Sequence, residues 1–438
     1  MKVYMETLGC PKNFNDSQVA CGIMEDAGIQ LVDDIFQSDV MILNTCGFIN
    51  DAKKESIERI FQLAQYKEGN RKLVVSGCLA QRYAKDLTEE MPEADCFIGV
   101  NEYERLPEIL RELNNPLEEK NQVKTCPSGQ LSLLPRHLED NPYTATLKIA
   151  EGCNNRCAYC VIPDIRGPFR SKKAEDVIKE AEMLAERGCK ELILIAQDLT
   201  LYGIDIYGHM ALPQLLRDLC QIEGIRWIRL MYCYEDRITD ELIDVMASEE
   251  KICNYIDIPI QHASDNVLKR MNRRSTESSI KETIAKLKDA IADIHIRTTL
   301  ITGFPGETEE DFSKLLDFVD EMKFARLGVF AYSQEENTPA GEMEDQIAQE
   351  IKEQRADTIM RHQLDISLAG NKEKVGKTFE VLVEERDEDG SYIGRTRYDA
   401  PEIDNSVIFT SCRELKAGMI VNVKIEDAFD YDLTGKEV

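Results

Sequence analysis

No stretch of this 438-residue chain approaches the roughly 18–20 consecutive apolar residues that a membrane-spanning helix needs. The amino terminus, MKVYMETLGC, lacks a basic segment followed by an apolar one. It enters a strand pattern at once, so no secretory signal is read and the expected compartment is the cytoplasm. Positive charge is also scarce: 53 Lys and Arg against 81 Asp and Glu leave a net charge of −28. Proteins that grip nucleic acid through its phosphates rely on Lys and Arg. This balance argues against that class and suits a basic partner, or simply solubility. No low-complexity tract occurs, and no repeat beyond an alternation of strand and helix patterns.

What the chain does have is 14 cysteines. In a reducing cytoplasm these are thiols or metal ligands rather than disulfides. Their setting depends on the fold. Residues 1–113 alternate strands (KVYMETL, VMILNT, KLVVSG, CFIGV) with helices (SQVACGIMEDAG, and DAKKESIERIFQLAQYKEG with Asp51 as its cap). Such alternation argues a parallel α/β sheet. Residues 114–142 read as a connector without regular elements, carrying Asn114-Asn115-Pro116, Cys126-Pro127-Ser128-Gly129, Pro135 and Asn141-Pro142. From residue 143 to 370 the alternation resumes with ATLKIAEG, KELILIA, WIRLMY, YIDIPI, IRTTLITG and ARLGVFAY. Strand-plus-helix units in series predict an incomplete (βα)6 TIM-like barrel, with a doubly wound open sheet as the other arrangement the pattern allows. A polar helix over about 342–372 trails it. Residues 371–438 hold short alternating strands, two of them joined at Asp389-Gly390, and read as a small OB-like β-barrel.

Six of the cysteines form two sets of three. Cys153, Cys157 and Cys160 follow the strand TLKIAEG within eight residues, close enough to wrap one compact inorganic core in the manner of iron–sulfur sites. Structural zinc wants a fourth ligand, yet no histidine follows until His209 and no partner pair spaced Cys-x2-Cys exists elsewhere. A 4Fe–4S cluster on three thiolates leaves one iron free to chelate an amine and a carboxylate, which S-adenosylmethionine (SAM) offers. Cys10, Cys46 and Cys78 are dispersed, but each ends a strand-like run and adjoins a glycine. In a parallel sheet all carboxyl ends share one edge, so these thiols can converge on a second cluster. Plain buried cysteines are the other reading, and Cys189, Cys220, Cys233, Cys253, Cys21, Cys96, Cys126 and Cys412 fit it.

The stretch GCNNRCAYC at the end of the first barrel strand resembles the radical-SAM superfamily. That resemblance implies a SAM-binding cluster on Cys153, Cys157 and Cys160, with Tyr159 near the adenine. Three amino-terminal cysteines, this triplet and a terminal β-barrel together resemble the methylthiotransferase family across the whole chain. The resemblance implies a second 4Fe–4S cluster on Cys10, Cys46 and Cys78, a TRAM domain at the carboxyl terminus, and insertion of a methylated sulfur into an unactivated C–H bond. The stretches LGCPKNFNDSQ, YIDIPIQHASDNVLKRMNR, GFPGET and GRTRYDAPEID resemble the branch that modifies an aspartate of ribosomal protein 12 of the small subunit. The tRNA-modifying branch typically has Gln-Met-Asn after the first cysteine. Residues 371–438 carry 10 Lys and Arg against 16 Asp and Glu, a balance of −6, which suits a basic protein substrate better than tRNA.

The expected partners are accordingly a basic ribosomal protein or the assembled ribosome, and an electron donor, with neither membrane nor dedicated tRNA binding. Polar residues at barrel-strand ends are candidates to line the SAM site: Gln197, Asp198 and Arg229, with Gln261 and His262 after the fourth strand. Arg297 begins its strand and is discounted. No general base is expected, because radical hydrogen abstraction needs none. Thr7, Asn44 and Ser76, just before the dispersed cysteines, are candidate donors to cluster sulfurs. Three other functions remain open at this stage: a tRNA adenosine methylthiotransferase, a non-enzymatic electron carrier, and an RNA-binding module with structural metal.

Overall fold

The computed structural model describes residues 1–113, 122–124, 131–138 and 143–438. Most of the connector, including Asn114-Asn115-Pro116, Cys126-Pro127-Ser128-Gly129 and Asn141-Pro142, lies outside the described residues. The first sheet contains β1 (Lys2–Thr7), β2 (Gln30–Leu31), β3 (Val40–Thr45), β4 (Lys72–Gly77), β5 (Cys96–Ile98) and β6 (Gln122–Lys124) in the order β2-β1-β3-β4-β5-β6. Every pairing is parallel. The strand β3 is buried at every position and β4 at all but its first, as near-continuous apolar strands must be when helices cover both faces.

One face is covered by α1 (Pro11–Asp26), through Ala20 and Met24. The other is covered by α2 (Asn50–Ala64), through Ile60 and Leu63, and by α3 (Cys78–Glu90), through Leu79 and Ala80. A fourth helix, α4 (Leu106–Leu113), joins the α1 face. Burial of each such Leu, Ile or Met side chain contributes about 1.5–3 kcal/mol.

Three details differ from the sequence reading. The connector contributes a strand, β6, whose three residues are too few to show a pattern. The cap position of α2 is Ile49, and Asp51 sits inside the first turn, where a carboxylate meets the positive end of the helix dipole. And α1 begins at Pro11, earlier than its apolar periodicity announces.

The second sheet contains β7 (Thr144–Lys148), β10 (Glu191–Ile195), β11 (Trp227–Leu230), β12 (Ile252–Asp257), β13 (His295–Thr302) and β14 (Arg326–Ala331), all parallel in the order β14-β13-β12-β11-β10-β7. Its end strands β7 and β14 are unpaired with one another, so it is the incomplete barrel expected. A short antiparallel pair, β8 (Ala150–Glu151) with β9 (Arg170–Ser171), brackets the loop between them. The trailing helix spans Gln349–Lys372.

The last unit is a closed barrel of β15 (Thr378–Arg386), β16 (Tyr392–Thr396), β17 (Val407–Thr410), β18 (Ile420–Ala428) and β19 (Leu433–Glu437), ordered β15-β16-β17-β19-β18. The unread strand β19, LTGKE, has a single apolar residue. This barrel sits on the amino-terminal ends of the second sheet. Arg395 pairs with Glu191, Arg326 with Asp399 at 2.5 Å, and the Arg397 guanidinium donates to the carbonyl of Ile252 at 2.7 Å. Among the described residues no helix is long and apolar enough to cross a membrane.

Candidate active site

The neighbouring strands β1, β3 and β4 end in Gly9-Cys10, Cys46-Gly47 and Gly77-Cys78. Cys10 occupies the cap position of α1 and Cys78 opens α3. Gly9 has φ +96°, and a Cβ on it would lie 2.8 Å from the Cys46 Cβ and 3.3 Å from its Sγ. Only glycine lets the two loops meet. The three thiols share one field: Cys46 responds to Cys78 and Cys10, and Cys78 to Cys10. Burial pushes the Cys46 thiol up to about 12, so proton loss there needs a compensating cation, and coordination to metal deprotonates a thiol outright. Thr7, Asn44 and Ser76 do not face the sulfurs. Their side chains donate to the Ser17 hydroxyl, to Asn13 O and Ser17, and to Leu43 O respectively, because each lies within its strand and is taken up by packing against α1 or a neighbouring strand. Asn13 is the residue that laces these loops, its amide donating to Leu8 O at 3.0 Å and Thr45 O at 3.1 Å.

The second set lies in the loop closed at its base by the β8–β9 pair. The Cys153 N–H donates to Gly167 O at 3.1 Å, and a Cβ on Gly152 (φ +81°) would fall 2.1 Å from Pro168 O. The Asn155 N–H donates to the Cys153 Sγ at 3.4 Å. Burial raises Cys153 to about 11 and Cys160 further. Cys160 responds to both Cys157 and Cys153.

The two sets adjoin. After Cys160 the chain forms α5 (Ile162–Arg166), and Cys78 packs among Val100, Val161 and Ile165. Arg166, at the end of α5, donates to the Cys78 Sγ at 3.2 Å and to Asn13 Oδ1 at 2.7 Å. Its other nitrogen pairs with Asp16 at 2.6 Å and Glu151 at 3.4 Å, and Lys148 bridges the same two carboxylates. Among the described residues no three Cys, His, Asp or Glu side chains close tightly enough to hold a single metal ion. Two sets of three thiols, with the Asn155 N–H on the Cys153 sulfur and the Arg166 guanidinium on the Cys78 sulfur, are a donor chemistry that suits an iron–sulfur core.

The residues named for SAM divide. Gln197 donates to Glu151 Oε1 at 2.6 Å, while its own buried Oε1 has no partner. Asp198 accepts from the Asn155 amide at 2.9 Å and pairs with Arg237, which ties the end of β10 to the cysteine loop. Tyr159 packs in an apolar cluster with Phe304 and Met271 and accepts from Arg273 at 3.4 Å. Gln261 and His262 follow β12, and the buried His262 Nε2 lies 3.5 Å from Glu307. Arg229 is a correction. It points to the opposite end, pairing with Glu191 at 2.8 Å, lying over the Tyr255 ring and donating to Arg397 O at 2.9 Å. Its long side chain runs from mid-strand β11 toward the amino-terminal ends, where Glu191 at the start of β10 takes it. Arg297 pairs with Asp257 at 2.9 Å, a structural role. Cys412 is exposed rather than a core thiol.

A parallel half-barrel whose first strand delivers a Cys-x3-Cys-x2-Cys loop defines a radical-SAM enzyme. Residues 147–319 match the radical SAM superfamily, residues 2–99 match uncharacterized protein family UPF0004, and residues 375–438 match the TRAM domain. The chain is 49% identical to a protein of Clostridioides difficile (strain 630) named ribosomal protein uS12 methylthiotransferase RimO, over 99% of this chain and 98% of that one. It is 50% identical to the protein of the same name from Desulforamulus reducens, over 98% of each. Among solved structures it shares its fold with the radical SAM methyltransferase TsrM from Kitasatospora setae, at a TM-score of 0.56 and 16% identity, covering 78% of this chain and 77% of that one. The chain therefore belongs to the RimO family of methylthiotransferases. It is a radical-SAM methylthiotransferase that works with 4Fe–4S clusters and SAM.

Sequence reasoning missed Asn13, Arg166 and Lys12. The first two were legible only as polar residues in loops. Lys12 carried no signal of its own among the polar residues that open α1.

Proposed function

We propose that this enzyme adds a methylthio group to the β-carbon of an aspartate in ribosomal protein uS12, with Cys10, Cys46 and Cys78 holding one 4Fe–4S cluster and Cys153, Cys157 and Cys160 the other. When bound, these groups supply the one-electron cleavage of SAM that generates the 5′-deoxyadenosyl radical, and the sulfur that the substrate receives. The contact between Arg166, six residues beyond Cys160, and the Cys78 sulfur supports this reading, because it joins the loop proposed as radical source to the set proposed as sulfur source.

The chain's own residues prepare that place. Arg166 and Lys148 neutralise Asp16 and Glu151 and keep the wall between the two sets rigid. The partnerless Gln197 Oε1 is an acceptor for the ammonium or a ribose hydroxyl of SAM. Tyr159 offers an apolar wall beside Cys160, and Asp198 fixes the loop through Asn155. An electron donor must reduce the second cluster, and action on a ribosomal protein belongs to the cytoplasm. The acidic carboxyl-terminal barrel favours a basic protein over tRNA.

The test is anaerobic reaction of the reconstituted enzyme with SAM and reductant, on a uS12 peptide and in parallel on tRNA, read by mass spectrometry. A methylthio adduct on the aspartate is expected. An adduct formed only on tRNA adenosine would sink the assignment.

A further inference from the structure

Lys12 is the second residue of α1 and lies two residues beyond Cys10, between the first cysteine set and the mouth of the half-barrel. Its side chain is only 8% exposed. Its ammonium sits 3.1 Å from the centroid of the Tyr232 ring. Among the described residues no carboxylate lies within 4.0 Å of it.

The nearby carboxylates are already taken. Glu151 is held by Lys148 at 2.7 Å and by Gln197 at 2.6 Å. Asp257 is held by Arg297 at 2.9 Å and by the Tyr232 N–H at 3.0 Å. A buried ammonium supported by a ring face alone is under-compensated, since cation–π attraction replaces only part of the lost hydration. Buried charges in folded proteins are paired, and among the described residues no carboxylate pairs with this one.

The backbone beneath supports a functional reading. Tyr232 has φ 61°, a left-handed conformation that a bulky side chain adopts only when its surroundings over-determine it. Tyr232 lies two residues beyond the end of β11 and presents its ring to the Lys12 ammonium. The anion that fits must arrive with the reaction and enter where the two cysteine sets meet.

We propose that Lys12 receives the side-chain carboxylate of the target aspartate and so selects aspartate over asparagine. This rests on the function proposed above. The β-carbon of aspartate is bonded directly to its carboxylate carbon, so a cation that grips the carboxylate also fixes which C–H bond faces the radical source. Lys12 acts as a specificity residue through charge-assisted hydrogen bonds. The carboxylate of SAM is the other source of the same chemistry.

The full-length enzyme, reconstituted anaerobically, is assayed with uS12 peptides carrying Asp or Asn at the target position, in parent, Lys12→Gln and Lys12→Arg forms. Iron content equal to the parent verifies folding. Lys12→Gln is expected to raise the KM for the Asp peptide at least tenfold and to erase the preference for Asp over Asn, with Lys12→Arg restoring much of it. Loss of packing alone would not move that preference. A Lys12→Gln enzyme that keeps both the peptide KM and the preference overturns the assignment of Lys12, as does one whose KM rises for SAM instead. A parent enzyme that leaves the Asp peptide unmodified overturns the functional reading itself.

Discussion

The Arg166 guanidinium donates to the Cys78 sulfur across 3.2 Å, so the helix that follows one cysteine set is bonded to the other. Arg166 is buried, and it also neutralises Asp16 at 2.6 Å. Removing one member of a buried charge pair costs about 3–5 kcal/mol when the partner stays unpaired, and less here, because Lys148 still pairs with Asp16 and Glu151. Arg166→Met is expected to lower the denaturant midpoint accordingly and to weaken iron retention at the amino-terminal set first. Iron analysis of the variant beside a Cys78→Ala control checks this.

Gly9→Ala addresses the first set alone. The added methyl meets Cys46 at 2.8 Å and forces a side chain onto φ +96°, a strain of about 1–3 kcal/mol. Iron should fall by roughly four per chain, the content of one cluster. Formation of 5′-deoxyadenosine from SAM should persist while the methylthio product disappears. Loss of both activities together would show that the two sets cannot be separated.

Arg229→Met distinguishes a ligand contact from a structural one. Its partners Glu191 and the Arg397 carbonyl belong to the junction with the terminal barrel. Thermal stability should drop, by less than the about 3–5 kcal/mol of a fully orphaned buried partner because Arg395 still pairs with Glu191, while the KM for SAM stays at the parent value. A rise in that KM would return Arg229 to the SAM site.

His295 gives the same junction a pH dependence. Its ring stacks on Tyr398 with centroids 4.3 Å apart. Burial, then the nearby Lys374 and Arg326 cations, lower it to about 3 from the usual 6.5, against the Asp293 carbonyl and Asp399. As pH falls below 6.5 the unfolded chain takes up a proton that the folded chain refuses, so stability is lost progressively between about 6.5 and 3. His295→Phe should flatten that part of the profile. Urea midpoints of both proteins at pH 7 and pH 5 measure the difference.

Much of this was legible in the sequence because the chemistry lies at strand ends. VMILNT followed by Cys46, and KLVVSG followed by Cys78, announce buried parallel strands, and parallel strands share an edge. The half-barrel followed from the same alternation. The polar wiring was not legible. Thr7, Asn44 and Ser76 occupy positions suited to hydrogen bonding with sulfur, yet each spends its side chain on packing α1 or a neighbouring strand. Arg229 misled for a related reason: in a four-residue strand, sequence does not say which end a long side chain reaches. Contacts between units, such as Arg166 with Cys78, depend on how two sheets are set against each other, and no local pattern encodes that.

The terminal barrel seated on the amino-terminal ends of the second sheet has a kinetic meaning. With Arg395, Arg397 and Arg326 locked into its base, the reaction vessel is stoppered at the bottom. That end is closed to small molecules and polypeptide alike, which leaves the cysteine edge and the open side between β7 and β14 as the ways into the half-barrel, and exchange of SAM and polypeptide is limited to them.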